Sequence, residues 1–322
     1  QLNAQFSVQD DTIFINEVKI TADRSAIDAS GSGRTVIDSS LISIYNGSSL
    51  GDLISGSVPV YIKTYGPGSL ASPSFRGTTA GHTVVAWNNI NIESPMTGQS
   101  DLSVIPAGMA DEIKIFYGSG SMSLGRWSSG GIINLETKPD WTEKGLLLIN
   151  PAAGSYGRRS LFVNARAGST GFQSVTKVYF LKSENDFPYL NSVSGDIPVT
   201  ETRENSQVRH KGFSQELYFR KSGHELSARF WYQNSSRNLP VPIITPSLNP
   251  PERQNDESFR SMISYSSRIN TARLDLTSAF ISDRLDYSNT MASVFSKNSV
   301  KRMIVKGSVN MTAGKMLNLR FS

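Results

Sequence analysis

From residue 145 onward, apolar and polar side chains alternate along one short segment after another. Leu161, Val163, Ala165 and Ala167 are interleaved with Asn164 and Arg166. Leu226, Ala228, Phe230 and Tyr232 are interleaved with Glu225, Ser227, Arg229 and Gln233, while Met303, Val305, Val309 and Met311 stand opposite Lys306, Ser308 and Asn310. A period of two puts each set on its own face of a β-strand. Such a sheet, apolar on one face and polar on the other, belongs either to a soluble β protein or to a membrane barrel with a wet lumen. The segments match the roughly 9 to 11 residues of a tilted spanning strand. Aromatic residues (Phe172, Tyr179, Phe180, Tyr218, Phe219, Trp231, Tyr232) sit near their ends, and short connections (Ser222 to His224) alternate with long ones (Asn185 to Gln207, Asn234 to Glu257). These details favour the membrane, although pattern by itself does not choose.

Residues before about 138 read differently. Ser40 to Tyr45 and Ser49 to Ile54 predict two brief helices, the second capped by Ser48 or Ser49 with Leu50, Leu53 and Ile54 on one side. Val58 to Lys63 predicts a strand, and Tyr65 to Pro73, with two glycines and two prolines, an ordered loop. Thr83 to Trp87 and Ile90 to Ile92 flank Asn88-Asn89, and asparagine tolerates the left-handed backbone of a tight hairpin. Glu112 to Phe116 and Ile132 to Thr137 complete a small α+β domain, joined by a Gly- and Ser-rich stretch. The change of texture near Lys138 to Lys144, around Pro139, Asp140 and Trp141, sets three expected regions: an extension at 1–23, an α+β domain at 24–138, and antiparallel strands at 139–322.

Composition removes several classes of function. The chain has no cysteine, so it holds neither a disulfide framework nor a thiolate metal site. A net charge of +5 is spread without a block of like charge, which gives no basis for a nucleic-acid partner. Apolar runs such as Leu146 to Ile149 fall far short of the roughly 18 residues a membrane-spanning helix needs. The histidines His82, His210 and His224 are widely spaced, with no HExxH, no G-x-S-x-G elbow and no phosphate-binding Gly-Lys loop. No catalytic residue is assigned, and the chain reads as a binding protein rather than an enzyme.

An ordered series of motifs narrows the reading further. Leu50-Gly51-Asp52-Leu53, Pro73-Ser74-Phe75-Arg76-Gly77, His82-Thr83-Val84-Val85 to Ile92, Asp101-Leu102-Ser103-Val104-Ile105-Pro106, Asp111-Glu112-Ile113-Lys114-Ile115, Gly118, Ser121, Gly125 and Gly130-Gly131-Ile132-Ile133-Asn134-Leu135 follow one another from Asn16 to Lys138. Together they resemble the plug of TonB-dependent outer-membrane receptors. Ser119-Gly120, Leu124 and Arg126-Trp127 depart from that family's usual residues and put details of the periplasmic face in doubt.

The resemblance implies a plug inside a transmembrane barrel in the outer membrane of a Gram-negative bacterium, importing a scarce nutrient. It implies a TonB box at Asn16, Glu17, Val18, Lys19, Ile20, Thr21 and Ala22, an extended segment able to add to a partner's sheet edge, with periplasmic TonB as that partner. It places ligand contact on Tyr65, Gly66, Pro67, Gly68 and Ser69 and on the apex around Met96, Thr97 and Gln99, and a plug-barrel latch at Arg76 facing a wall carboxylate. Within the family, spacing around Ser74 to Thr78, His82 and Asp101 to Ser103 is most similar to cobalamin receptors. Siderophore, haem or glycan receptors, or a surface adhesion scaffold without transport, are the alternatives. No cofactor is expected; a structural calcium in barrel loops is a candidate, with Glu184, Asn185 and Asp186 as its thin basis. The lipid bilayer is a partner, and a surface lipoprotein is a candidate one. Residues after 144 have room for eight to ten strands, whereas a plugged barrel of this kind needs about 22. Phe321-Ser322 also lacks the look of a terminal aromatic. The expectation is an incomplete barrel whose remaining strands lie outside this chain.

Overall fold

A computed structural model describes residues 33–118, 130–193, 197–240, 252–269, 272–313 and 317–321. The first part runs β1 (Arg34–Ile37), α1 (Ser39–Ile44), α2 (Leu50–Ser57), β2 (Tyr61–Thr64), β3 (Ala71–Ser74), β4 (Thr83–Trp87), β5 (Ile90–Asn91), β6 (Glu112–Tyr117) and β7 (Gly131–Glu136). Asp38 caps α1 by accepting from the amides of Ser40 and Leu41. Ser49 and Asp52 form a reciprocal capping box on α2, so two otherwise orphaned amides are satisfied before the helix buries Leu50, Leu53 and Ile54. Strands β1, β6, β7, β4 and β5 make one sheet in that order, antiparallel except for β4 beside β7. Asn88 and Asn89 both take positive φ, 46° and 66°, as the expected hairpin requires.

Two expectations in this region need correction. Val58 and Val60 are buried but precede the strand, which begins at Tyr61. The end of the expected loop at Tyr65 to Pro73 is strand β3, paired with β2 through Ile62 opposite Pro73. Proline is tolerated there because the ribbon has only two strands, and each keeps a free edge where a missing N–H is not needed.

The second part is β8 (Gly145–Ala153), β9 (Arg159–Gly168), β10 (Phe172–Ser183), β11 (Pro188–Asn191), β12 (Val199–Thr202), β13 (Val208–Lys221), β14 (His224–Leu239), β15 (Glu252–Ile269), β16 (Ala272–Asn289), β17 (Val294–Ala313) and β18 (Leu317–Phe321). Apart from the β11–β12 hairpin these form one antiparallel sheet of nine strands, each paired with its neighbour in sequence. The architecture is an α+β plug followed by the strands of a transmembrane β-barrel wall.

Strand length is the main departure from the sequence reading: β14 has 16 residues, β15 and β16 have 18 each, and β17 has 20. The connection expected from Asn234 to Glu257 shrinks accordingly, because β14 runs to Leu239 and β15 starts at Glu252. Arg253, Asn255 and Glu257 sit in the same ladder as Phe259 and Ile263, facing Asn238, Ser236 and Asn234 across β14. Past the lipid both faces of a strand meet water, so alternation vanishes while the backbone ladder continues.

Within the alternating stretch the two faces separate cleanly. Leu226 and Phe230 are exposed on one face, whereas Ser227, Trp231 and Gln233 are buried on the other. Met303 and Val305 are 75% and 71% exposed on β17, and Phe213, Phe259, Ile263, Leu276 and Phe280 extend the same apolar belt. A continuous belt of this kind exceeds what a water-soluble surface carries and fits hydrocarbon. Short turns at 169–171 and 222–223 mark the periplasmic side, and the longer connections the extracellular side. The opposite face receives the plug: Trp231, Met262, Ala279 and Ile281 belong to the same apolar core as Trp87, Ile90, Leu102 and Ile133. Trp87 and Trp231 meet edge to face, with ring centroids 5.6 Å apart.

Phe230→Arg, in the belt, is expected to destabilise the folded protein in lipid vesicles by about 2 to 4 kcal/mol. Lys211→Ala, on the outer face beyond the belt, is expected to stay within about 0.5 kcal/mol. Denaturant titration in vesicles checks the contrast.

Candidate functional site

The predicted ligand loop Tyr65 to Ser69 is the tip of the β2–β3 hairpin. Gly66 and Gly68 hold φ of 117° and 72°, and the Ser69 amide closes the turn on the Gly66 carbonyl at 3.1 Å. Tyr65 is 57% exposed, with the Lys63 ammonium 5.1 Å from its ring centroid. Pro67 accepts through its carbonyl from the Asn185 side-chain amide at 3.1 Å. A Cβ at Gly68 would collide with Val208 of the wall, so the loop approaches the barrel as closely as backbone alone allows.

The second predicted loop is closed by a bridge between Ser94 and Gln99, with Gly98 at φ 63° donating to the Ser94 carbonyl. Met96 is half-buried and Thr97 is exposed, its hydroxyl donating to the Gln99 carbonyl at 3.0 Å. The Gln99 side-chain oxygen lies 3.5 Å from the Ser72 hydroxyl on β3. The two loops are therefore brought side by side, with β3 between them.

Asp101 ties this apex to the wall. One carboxylate oxygen accepts from the Ala71 amide at 3.0 Å, the Ser103 amide at 2.9 Å and the Ser103 hydroxyl at 2.7 Å. The other receives the Arg237 guanidinium of β14 at 2.6 Å. Arg237 has a side chain 5% exposed and also approaches Asp256 at 3.8 Å.

A second seat lies nearer the periplasm. Lys177 of β10, fully buried, donates to Asp111 at 2.8 Å and to the Met109 carbonyl at 3.1 Å. Arg166 of β9 stands 3.7 Å from Asp111 and 3.0 Å from Glu143. Wall contacts to plug backbone add to these: Arg158 donates to the Gly47 carbonyl at 2.7 Å, and Lys306 to the Asn89 carbonyl at 2.9 Å. On the plug sheet, burial pushes the Glu112 carboxyl up, but the Lys138 and Lys114 ammonium groups outweigh it and hold the group below its ordinary range.

The seam thus sets plug acids against wall bases. The expected latch has the opposite polarity, with Arg76 of the plug facing a wall carboxylate. In this chain Arg76 is exposed at φ 49°, ahead of Gly77 at φ 78°, and makes no ion pair among the described residues. Its neighbour Phe75 is the buried member of the motif, edge to face with Tyr117 at 5.7 Å. The expected TonB box, Asn16 to Ala22, and Ser121, Gly125, Ser119-Gly120, Leu124 and Arg126-Trp127 lie outside the described residues. The thin calcium candidate does not assemble: Glu184 pairs with Lys182 at 2.7 Å, and the Asn185 side chain is spent on other groups. Among the described residues no cluster of three acidic or histidine side chains is placed to hold a metal.

Residues 26–132 match the family model described as TonB-dependent Receptor Plug Domain. Those residues form a plug domain of the TonB-dependent receptor kind. Such receptors reside in the Gram-negative outer membrane. The vitamin B12 transporter BtuB of Vibrio vulnificus (strain YJ016) is 32% identical over 74 residues, a stretch covering 23% of this chain and 12% of that protein. In fold, the chain is similar to a G324V mutant of the ferric enterobactin receptor PfeA from Pseudomonas aeruginosa, with TM-score 0.67 at 12% identity, covering 93% of this chain and 50% of that one. It is also similar to the alcaligin outer-membrane receptor FauA from Bordetella pertussis, with TM-score 0.67 at 14% identity and coverage of 90% and 45%. The siderophore receptor PiuA from Acinetobacter baumannii gives 0.62 at 13% identity, with 87% and 42% covered. The chain spans about half the length of these structures.

Sequence reasoning singled out the two plug loops at 65–69 and 94–99 but missed the seam between plug and wall. Asp101 and Asp111 stand inside motifs it singled out, and their partners are ionisable residues at inward-facing positions of otherwise regular strands. That signal was present, since a charge on the lumen side of a spanning strand calls for a partner. Lys177→Met leaves Asp111 with a weakened, partly buried pairing and is expected to cost on the order of 3 kcal/mol. Lys182→Met, at the exposed pair with Glu184, is expected to cost less than about 1 kcal/mol. Urea unfolding of the two variants in detergent checks the difference.

Proposed function

We propose that this receptor imports a corrinoid, cobalamin in the first instance, across the outer membrane with energy delivered through TonB. The observation that carries the choice of ligand is the 32% identity over 74 residues to a vitamin B12 transporter. The likenesses to siderophore receptors are likenesses of fold at 12 to 14% identity.

The geometry of the apex supports a binding role. Exposed Tyr65 and Thr97, half-buried Met96 and Gln99, and the backbone of Gly66, Pro67, Gly68 and Ser69 form one surface at the extracellular end of the plug. Ligand docks there without bond chemistry. Asn16 to Ala22 pairs as an added strand with TonB, which pulls on the plug. A small domain held in a wall largely by polar contacts yields to force in part rather than as a whole.

Titration calorimetry of the detergent-purified receptor with cyanocobalamin, haem and a ferric siderophore tests the ligand. Selective binding of cyanocobalamin is the expected result; selective binding of either other ligand overturns the corrinoid reading. Deleting Asn16 to Ala22 is expected to leave binding intact and abolish uptake of labelled ligand by cells. Uptake that survives the deletion contradicts the assigned TonB contact.

A further inference from the structure

The side chain of Asn185 is buried where three stretches of wall meet the plug. Its amide nitrogen donates to the Pro67 carbonyl at 3.1 Å and to the Ser206 carbonyl at 3.0 Å, and its oxygen accepts from the Ser183 hydroxyl at 2.8 Å. Two carbonyls on one side and a hydroxyl on the other fix the orientation of the amide, because only nitrogen can serve the carbonyls. Its backbone amide reaches the Tyr156 carbonyl in the β8–β9 connection at 3.3 Å. The Ser206 hydroxyl closes the ring by donating to the Asn185 carbonyl at 2.9 Å.

Position 185 is also conformationally special. Its φ is 53°, in the left-handed region that asparagine tolerates and most side chains resist. The residue lies where the chain leaves β10 for the extracellular β11–β12 hairpin, and Ser206 lies where the chain returns to β13. That hairpin is a unit of its own, with Glu201 accepting from Tyr189 at 2.7 Å and from Asn191 at 3.0 Å. Both roots of the hairpin and the apex of the plug therefore converge on one side chain. Val208 of the wall also meets this loop, but by packing against Gly68, whereas Asn185 holds it through a hydrogen bond.

We infer that Asn185 is a positioning residue: through it the base of the extracellular hairpin sets the conformation of plug loop 65–69, so that wall and plug present one preformed ligand surface. The inference rests on the reading that this loop touches ligand, and it adds the wall residue that holds the loop for that contact. An amide pinned to a carbonyl costs the loop its freedom before ligand arrives, and a preordered loop binds more tightly than one that must order on contact.

The test uses full-length receptor in detergent with a spin label at Ser69→Cys, and separately at Thr97→Cys on the second loop. Asn185→Asp keeps the shape but cannot donate to two carbonyls, and Asn185→Gly suits the backbone but lacks the amide. Both variants are expected to mobilise the label at 69, leave the label at 97 unchanged, and weaken cyanocobalamin binding several-fold. An immobile label at 69 in either variant overturns the inference, and so does equal mobilisation at 97, which signals general loosening. A mobilised loop with wild-type affinity overturns the role in binding. Mobilisation confined to 69, in a receptor whose unsubstituted form binds no cyanocobalamin, supports the positioning and removes the corrinoid reading instead.

Discussion

Each residue of the wall must serve either lipid or lumen, and the rest of the structure depends on that division. A spanning strand satisfies its backbone through its neighbours, so its side chains are free to differ completely from one position to the next. Phe230 faces outward beside Trp231, which packs on the plug. Shifting the register by one residue would place Ser227 and Arg229 in hydrocarbon and Phe230 in the lumen. The cost of that exchange holds the register of β13 to β17 in place.

The lumen face then decides how the plug sits. Apolar contact alone, through Trp231, Met262, Ala279 and Ile281, would favour closeness without fixing orientation. The ion pairs supply the orientation. Asp101 meets β14 and Asp111 meets β9 and β10, so the plug is referenced to two separate stretches of wall. Desolvated charges of this kind contribute little net stability, since their attraction is offset by lost hydration, but they penalise every misplacement. Asp101 does more than pair: the same carboxylate organises the Ala71 amide just after the β2–β3 turn. A change in that turn is thereby felt at the wall.

Much of the plug is legible in sequence because its signals are local. Ser49 and Asp52 cap α2 three residues apart, and Asn88-Asn89 turns a hairpin between adjacent strands. The wall's two faces are equally legible, because alternation is a property of one strand at a time. What the sequence hides is of two kinds. The strands outrun their own pattern, since Arg253 to Glu257 keep the ladder after the contrast between lipid and lumen has ended. The seam is hidden because its partners are far apart in the chain: Asp101 and Arg237 are separated by 136 positions, and nothing local to either names the other. Asn185 is hidden for the same reason, being an ordinary loop residue until the fold brings Pro67 to it.

The central claim is that pairing across the seam, rather than packing alone, seats the plug. A double-mutant cycle on Asp101→Asn and Arg237→Met, read by hydrogen exchange at the Ala71 amide in the intact protein, tests it most directly. Pairing predicts that the double variant is clearly less destabilised than the two single effects added together. Additivity within about 0.5 kcal/mol would contradict it, leaving the two residues as independent neighbours.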